Sequence, residues 1–278
     1  MSKVGKVSRT GHIDVDNSKL YYEISGTGYP VTLIHDGLVD CRVWDEQISF
    51  FAEQYQVIRY DRRGYGRSER PWADYSNVDD LYALLNLLKI EHTSLMGVSA
   101  GGMIAIDFAL AHSDMVDALV LVGAYVNGFE GSEHSQHRMR AAVRPLVEDD
   151  DLEQTIENWT NDPYLVSPAN TTARVRFREF LTTSPHNLYD PHWHSFEEAG
   201  QPAIDRLPEI HTPTLLIVGE ADIPDNHAVS GALQVGIRGS KRVVLPNAGH
   251  LVNLEQPQTF NQLVSEFLGS MLPSQKRS

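Results

Sequence analysis

Short apolar runs and longer amphipathic stretches take turns along this chain. Residues 12–15 and 20–24 are β-prone and flank Asp16-Asn17-Ser18, a turn-favouring triplet, which predicts an initial hairpin. Residues 31–34, 56–60, 94–97, 119–122, 215–218 and 242–245 are short, predominantly apolar runs of four or five residues. Such runs suit strands covered on both faces, so they predict a mostly parallel central sheet. Between them, helical periodicity marks 43–54, 78–88, 102–111, 228–235 and 257–268. The last places Phe260, Leu263, Val264, Phe267 and Leu268 on one stripe. Alternating strands and helices predict an α/β fold of the doubly wound kind.

The alternation lapses between residues 124 and 212. That stretch is charged, helical in character and far too long for an ordinary connection. It is read as a helical lid inserted late in the chain, dividing a core domain into residues 1–123 and 213–278. The tail, 273–278, is polar and expected to fray.

Apolar residues make up 41% and charged residues 22% of 278, which is an ordinary globular composition able to bury a core. The formal net charge of -14 would repel phosphate backbones and anionic lipid, so nucleic acid is not expected as a partner. Cys41 is the single cysteine, which rules out an intramolecular disulfide and a thiolate-rich metal site. Residues 1–10 are polar and basic, and no run approaches the ~20 apolar residues that cross a bilayer. A cytoplasmic protein without membrane insertion is the default expectation. His134, His137, His186, His192 and His194 fall in the proposed lid, without the spacing of a metal site.

The strongest chemical signal is Gly97-Val98-Ser99-Ala100-Gly101, which follows a strand and opens a helix. A serine thrust out on so tight a turn needs a strained backbone and small neighbours two residues before and after it. No Gly-rich dinucleotide run or P-loop lysine competes with this reading.

With this motif in that context, the chain resembles the α/β-hydrolase superfamily over residues 12–268. The resemblance implies an α/β-hydrolase fold, Ser99 as nucleophile and two partners that follow in chain order. Asp222 in Gly219-Glu220-Ala221-Asp222 is similar to the family acid, with Asp225 as a substitute. His250 in Asn247-Ala248-Gly249-His250 is similar to the family base. The oxyanion donors implied are the N–H groups of Ala100 and of Gly37, in the loop His35-Asp36-Gly37-Leu38. Asp36 stands where the family commonly has glycine, and its carboxylate is expected to point away from the developing oxyanion. The run from Asp61 to Ser68 is also family-like and is read as structural, with Asp–Arg pairing beneath the rim. Substrate contacts are expected from His35, Asp36, Trp44, Val98, Trp159, Trp193 and Leu251. Tyr164, Phe177 and Phe180 either line a pocket or pack the lid.

These features imply acyl transfer from a small carboxylic ester or lactone to water, without a metal or organic cofactor. The pattern is most similar to small esterases and 3-oxoadipate-type enol-lactonases. Cofactor-free perhydrolase or haloperoxidase activity and C–C bond hydrolysis use the same triad and stay open. So does a slow-turnover receptor built on the scaffold. Substrate and oligomeric state are not written in the sequence.

Overall fold

The computed structural model describes residues 9–16, 18–71, 73–189 and 201–271. Eight strands form one sheet in the order β1-β2-β4-β3-β5-β6-β7-β8. They are β1 (Arg9–Val15), β2 (Ser18–Ser25), β3 (Tyr29–Ile34), β4 (Tyr55–Tyr60), β5 (Thr93–Val98), β6 (Val116–Val122), β7 (Thr214–Gly219) and β8 (Lys241–Leu245). The predicted hairpin is β1 with β2, joined antiparallel from Arg9 opposite Ile24 to Val15 opposite Ser18. β2 pairs antiparallel with β4, and every pairing from β4 to β8 is parallel.

The apolar runs sit where two-sided burial requires them. β5 and β7 are buried at every position. β8 departs from that expectation. It is the sheet edge, and four of its five residues are exposed or half-buried, because nothing pairs beyond it.

Helices α1 (Asp45–Phe51), α2 (Asn77–Leu87) and α3 (Ala100–Ala111) connect the first strands. The predicted helix at 43–54 begins later than its periodicity suggests. Asp40 caps a 3-10 turn, Cys41–Trp44, by accepting the Arg42 N–H, and α1 follows. Between β6 and β7 lie α4 (Glu133–Asp149), α5 (Leu152–Asn161), α6 (Thr171–Thr183) and the short α7 (Ala203–Arg206). Ser132, Asp151 and Asn170 each cap the following helix through a side-chain oxygen. After β7 come α8 (Pro224–Gly236), α9 (Val252–Glu255) and α10 (Pro257–Met271).

Two apolar clusters cover the sheet. One joins Val31, Val57, Val98 and Val120 with Trp44, Phe260 and, from the insertion, Ile156, Trp159, Phe177 and Phe180. The other holds Leu95, Leu119, Phe108 and Leu233 with Ala203, Leu207 and Ile210. The insertion is therefore continuous with the core, and its last segment, including α7, packs with α3 and α8 on the opposite side. Among the described residues, no helix is long and apolar enough to cross a membrane.

Candidate active site

Ser99 occupies the turn between β5 and α3 with φ 56° and ψ −118°, a backbone that non-glycine residues adopt at a cost of about 1–3 kcal/mol. The packing around it explains both flanking glycines. A Cβ on Gly97 would lie 2.3 Å from the Gly101 carbonyl oxygen, and one on Gly101 would lie 2.2 Å from that of Ile34. The obstacles are backbone atoms, which cannot move aside. Ser99 N–H donates to the Val122 carbonyl at 2.8 Å, and Ser99 C=O accepts from Gly102 N–H at 2.9 Å. The strained residue is thus held from both ends.

Asp222 and His250 follow β7 and β8, and their loops are laced together by Glu220 N–H to Leu245 C=O and Ala221 N–H to Ala248 C=O. His250 Nδ1 lies 2.9 Å from Asp222 Oδ2, and both side chains are buried. A carboxylate only accepts, so Nδ1 carries the proton of this bond and Nε2 is the nitrogen left to exchange one. The other oxygen, Oδ1, accepts from Ile223 N–H and Asn226 Nδ2, each at 2.8 Å. Asn226 Nδ2 also lies 2.9 Å from His250 Nδ1. Nothing in the sequence pattern marked Asn226 apart from its place four residues after Asp222. Asp225, the substitute acid, accepts from the N–H and Oγ of Ser132 at the head of α4 and has no bond to His250.

Burial disfavours the imidazolium of His250, but the charge and hydrogen bond of Asp222, and then the charge of Asp36, outweigh it. The net effect holds its pKa above the ordinary value.

In the loop after β3, Asp36 Oδ1 accepts from Leu38 N–H at 2.6 Å and Val39 N–H at 3.1 Å. This small turn leaves the Gly37 N–H, and across from it the Ala100 N–H at the start of α3, without a protein acceptor among the described residues. Asp36, expected to point away from the developing oxyanion, turns one oxygen onto its own loop. It is 2% exposed, borders the cavity described below, and keeps Oδ2 buried without a partner. Burial accordingly pushes its carboxyl up.

A cavity of about 200 Å³ lies at this end of the sheet. Its wall brings together Ser99, Ala100, Gly37, Asp36, His250 and Leu251 from the core with Met139, Trp159 and Leu165 from the insertion. Of the residues expected to touch substrate, Asp36, Trp159 and Leu251 border this cavity. His35, Trp44 and Val98 do not border it. Val98 is buried within the sheet cluster, and Trp44 packs fully buried against Phe260, their ring centres 6.1 Å apart. His35 Nε2 accepts from Arg62 N–H at 2.9 Å, while Nδ1 meets the Asp36 carbonyl at 2.8 Å. Burial, reinforced by the charge of Arg62, pushes its pKa down to about 3, so it is a neutral pin between two loops. Trp193 lies outside the described residues. Phe177 and Phe180 pack in the core, and Tyr164 meets His134 edge-on. The wall also includes Arg62, Arg138 and Tyr125, which the sequence pattern did not single out. Arg62 stands in a run read as structural. Its neighbours there fit that reading, since Arg63 pairs with Asp80, and Asp61 receives the Cys41 and Arg67 N–H groups.

Comparison with known proteins agrees with this architecture. Residues 33–263 match the model of the Alpha/beta hydrolase family. The putative 2-succinyl-6-hydroxy-2,4-cyclohexadiene-1-carboxylate synthase of Bacillus subtilis is 29% identical, over 78% of this chain and 82% of its own. Among solved structures, a thermophilic esterase from Thermogutta terrifontis superposes with a TM-score of 0.78 at 27% identity, covering 95% of this chain and 99% of the other. Est816, described as an N-acyl homoserine lactone degrading enzyme, gives a TM-score of 0.76 at 26% identity, covering 92% and 100%. With its eight-stranded sheet, its serine on the strand-to-helix turn and a family match over most of its length, the chain belongs to the Alpha/beta hydrolase family.

Proposed function

We propose that this protein is a serine hydrolase that cleaves a small carboxylic ester or lactone through an acyl-enzyme on Ser99. The observation that carries the reading is that His250 borders the same small cavity as Ser99, with its Nδ1 committed to the buried carboxylate of Asp222. Nε2 then takes the Ser99 Oγ proton as the oxygen attacks the substrate carbonyl. Asp222 holds the ring and stabilises the imidazolium. The Gly37 and Ala100 N–H groups donate to the oxyanion, where preorganised donors are worth a few kcal/mol each. Collapse expels the alcohol oxygen with the proton from His250, and water repeats the sequence to release the acid. The insertion serves as a lid that excludes bulk water, and similarity to an esterase and a lactone-degrading enzyme supports the ester or lactone class.

Labelling by a fluorophosphonate probe, with the modified residue located by mass spectrometry, tests this reading alongside turnover of ethyl butyrate. The reading requires modification at Ser99 and loss of turnover in Ser99→Ala. An unlabelled Ser99, or undiminished turnover in that variant, overturns it.

A further inference from the structure

Taking a guanidinium out of water is costly, so buried arginines are met by carboxylates. Arg59 obeys this against Glu23 and Asp45, and Arg63 against Asp80. Arg62 does not. It is only 6% exposed, its Nε is buried without a hydrogen-bond partner, and among the described residues no carboxylate lies within ion-pair distance. Its side chain has one long bond, 3.4 Å from Nη1 to the Asp36 carbonyl, and the face of the Tyr65 ring 4.5 Å away. It borders the cavity of Ser99 and His250.

A second cation enters the same cavity wall from the insertion. Arg138, on α4, is tied through Nε to Asp162 at 2.5 Å, which leaves its two terminal nitrogens without a hydrogen bond among the described residues. Its positive charge works against protonation of His250. Among the described residues, the only carboxylate on the cavity wall is Asp36, already committed through Oδ1 to two backbone N–H groups. Two arginines at one small apolar cavity, in a chain of net charge -14, are not explained by the overall charge balance.

We propose that Arg62 and Arg138 form an anion subsite beside Ser99, and that the acyl substrate carries a carboxylate on the side facing them. Half-esters of short dicarboxylic acids and carboxylate-bearing lactones are the class that fits. This rests on Ser99 as the acyl acceptor. A bound carboxylate satisfies the free guanidinium nitrogens and offsets the charge of Arg138 as His250 takes up its proton. Anionic acyl groups therefore raise kcat as well as lower KM.

Monoethyl succinate and ethyl butyrate differ by a carboxylate in place of a terminal methyl group, and acid release follows both. The expected result is a kcat/KM for monoethyl succinate about tenfold or more above that for ethyl butyrate, as befits charge-assisted hydrogen bonds. That ratio collapses towards one in Arg62→Gln and in Arg138→Gln, and returns in part with Arg62→Lys and Arg138→Lys. A ratio at or below one in the unaltered protein overturns the subsite, as does a ratio that neither glutamine variant changes. Labelling separates the two readings. If Ser99 is labelled and ethyl butyrate is cleaved without any advantage for the anion, only the subsite falls. If Ser99 is unlabelled and neither ester is cleaved, the hydrolase reading falls. Calorimetric titration of the unaltered protein with succinate then decides the subsite, and no binding overturns it.

Discussion

The backbone N–H of His250 donates to the carbonyl oxygen of Tyr164 at 2.7 Å, and the next residue, Leu251, donates to Leu165 at 3.0 Å. A loop of the core is thus hydrogen-bonded through its backbone to a segment of the insertion. Asp162 orders that segment by accepting the N–H groups of Tyr164 and Leu165 through Oδ1, while Oδ2 holds Arg138. Glu255 fastens the other side, taking Gly249 N–H on Oε1 and Ser167 N–H on Oε2. The segment 162–167 of the insertion is therefore part of the scaffold that places His250.

Glu255→Gln tests this coupling. Replacing one carboxylate oxygen with NH2 leaves an amide donor facing a buried N–H, at a cost of about 1–3 kcal/mol. Chemical denaturation is expected to show that loss. Steady-state kinetics is expected to show a fall in kcat with little change in KM, because the loop carrying His250 loosens while the cavity wall stays in place.

The pH profile follows from the groups around His250. The base works only when neutral, so kcat/KM rises with pH through its pKa, and the acidic limb is expected above the ordinary imidazole range. Asp36→Asn removes a negative charge that favours the imidazolium. The limb is therefore expected to move to lower pH, with relatively more activity kept in acid. A limb that stays in place would mean that Asp36 does not bear on the titration of His250.

Much of this was legible beforehand, for identifiable reasons. Buried parallel strands need mostly apolar runs, so the runs marked the strands, and the resemblance to the family supplied the order Ser99, Asp222, His250, each just beyond one of those runs. Edge position is a property of the assembled sheet, which is why the apolar run at 242–245 looked like a covered strand and is not. The insertion boundary blurred for a similar reason. Ala203, Leu207 and Ile210 read as lid by distance along the chain, yet pack with α3 and α8. Arg62 was hidden by its setting, since only three-dimensional pairing distinguishes it from the satisfied Arg63 next to it. Trp44, by its place after the loop that carries Gly37, could be core, pocket wall or a substrate contact, and its ring packs in the core against Phe260.

Asp222 and Asp225, three residues apart, are separated by their partners, and paired substitutions are expected to separate them in function. Asp222→Asn leaves the shape of the site nearly intact but disturbs the tautomer of His250, and a fall in kcat of about 10⁴ is expected. Asp225→Asn alters only the bonds to Ser132 N–H and Oγ. It is expected to retain kcat within a few-fold and to lose about 1 kcal/mol of stability. The reverse ranking would assign the orienting carboxylate to Asp225.

Gly123 provides the most local test of the His250 position. It follows β6 with φ +50°, and a Cβ added there would lie 2.7 Å from His250 Nδ1 and 3.2 Å from Asp222 Oδ2. Gly123→Ala therefore presses a methyl group against the bond that fixes the ring. The strained backbone adds a cost of about 1 kcal/mol, which a folded protein of this size tolerates. Relief comes from displacing the imidazole. A shift of about 1 Å at a reacting group costs on the order of 10² in rate, so kcat is expected to fall by that factor in a protein that still melts cooperatively. Labelling of Ser99 by the fluorophosphonate probe should slow in proportion, because it also needs His250 to accept the serine proton. Undiminished labelling and turnover would mean that the ring has room to move without consequence, and that its bond to Asp222 is not what sets the rate.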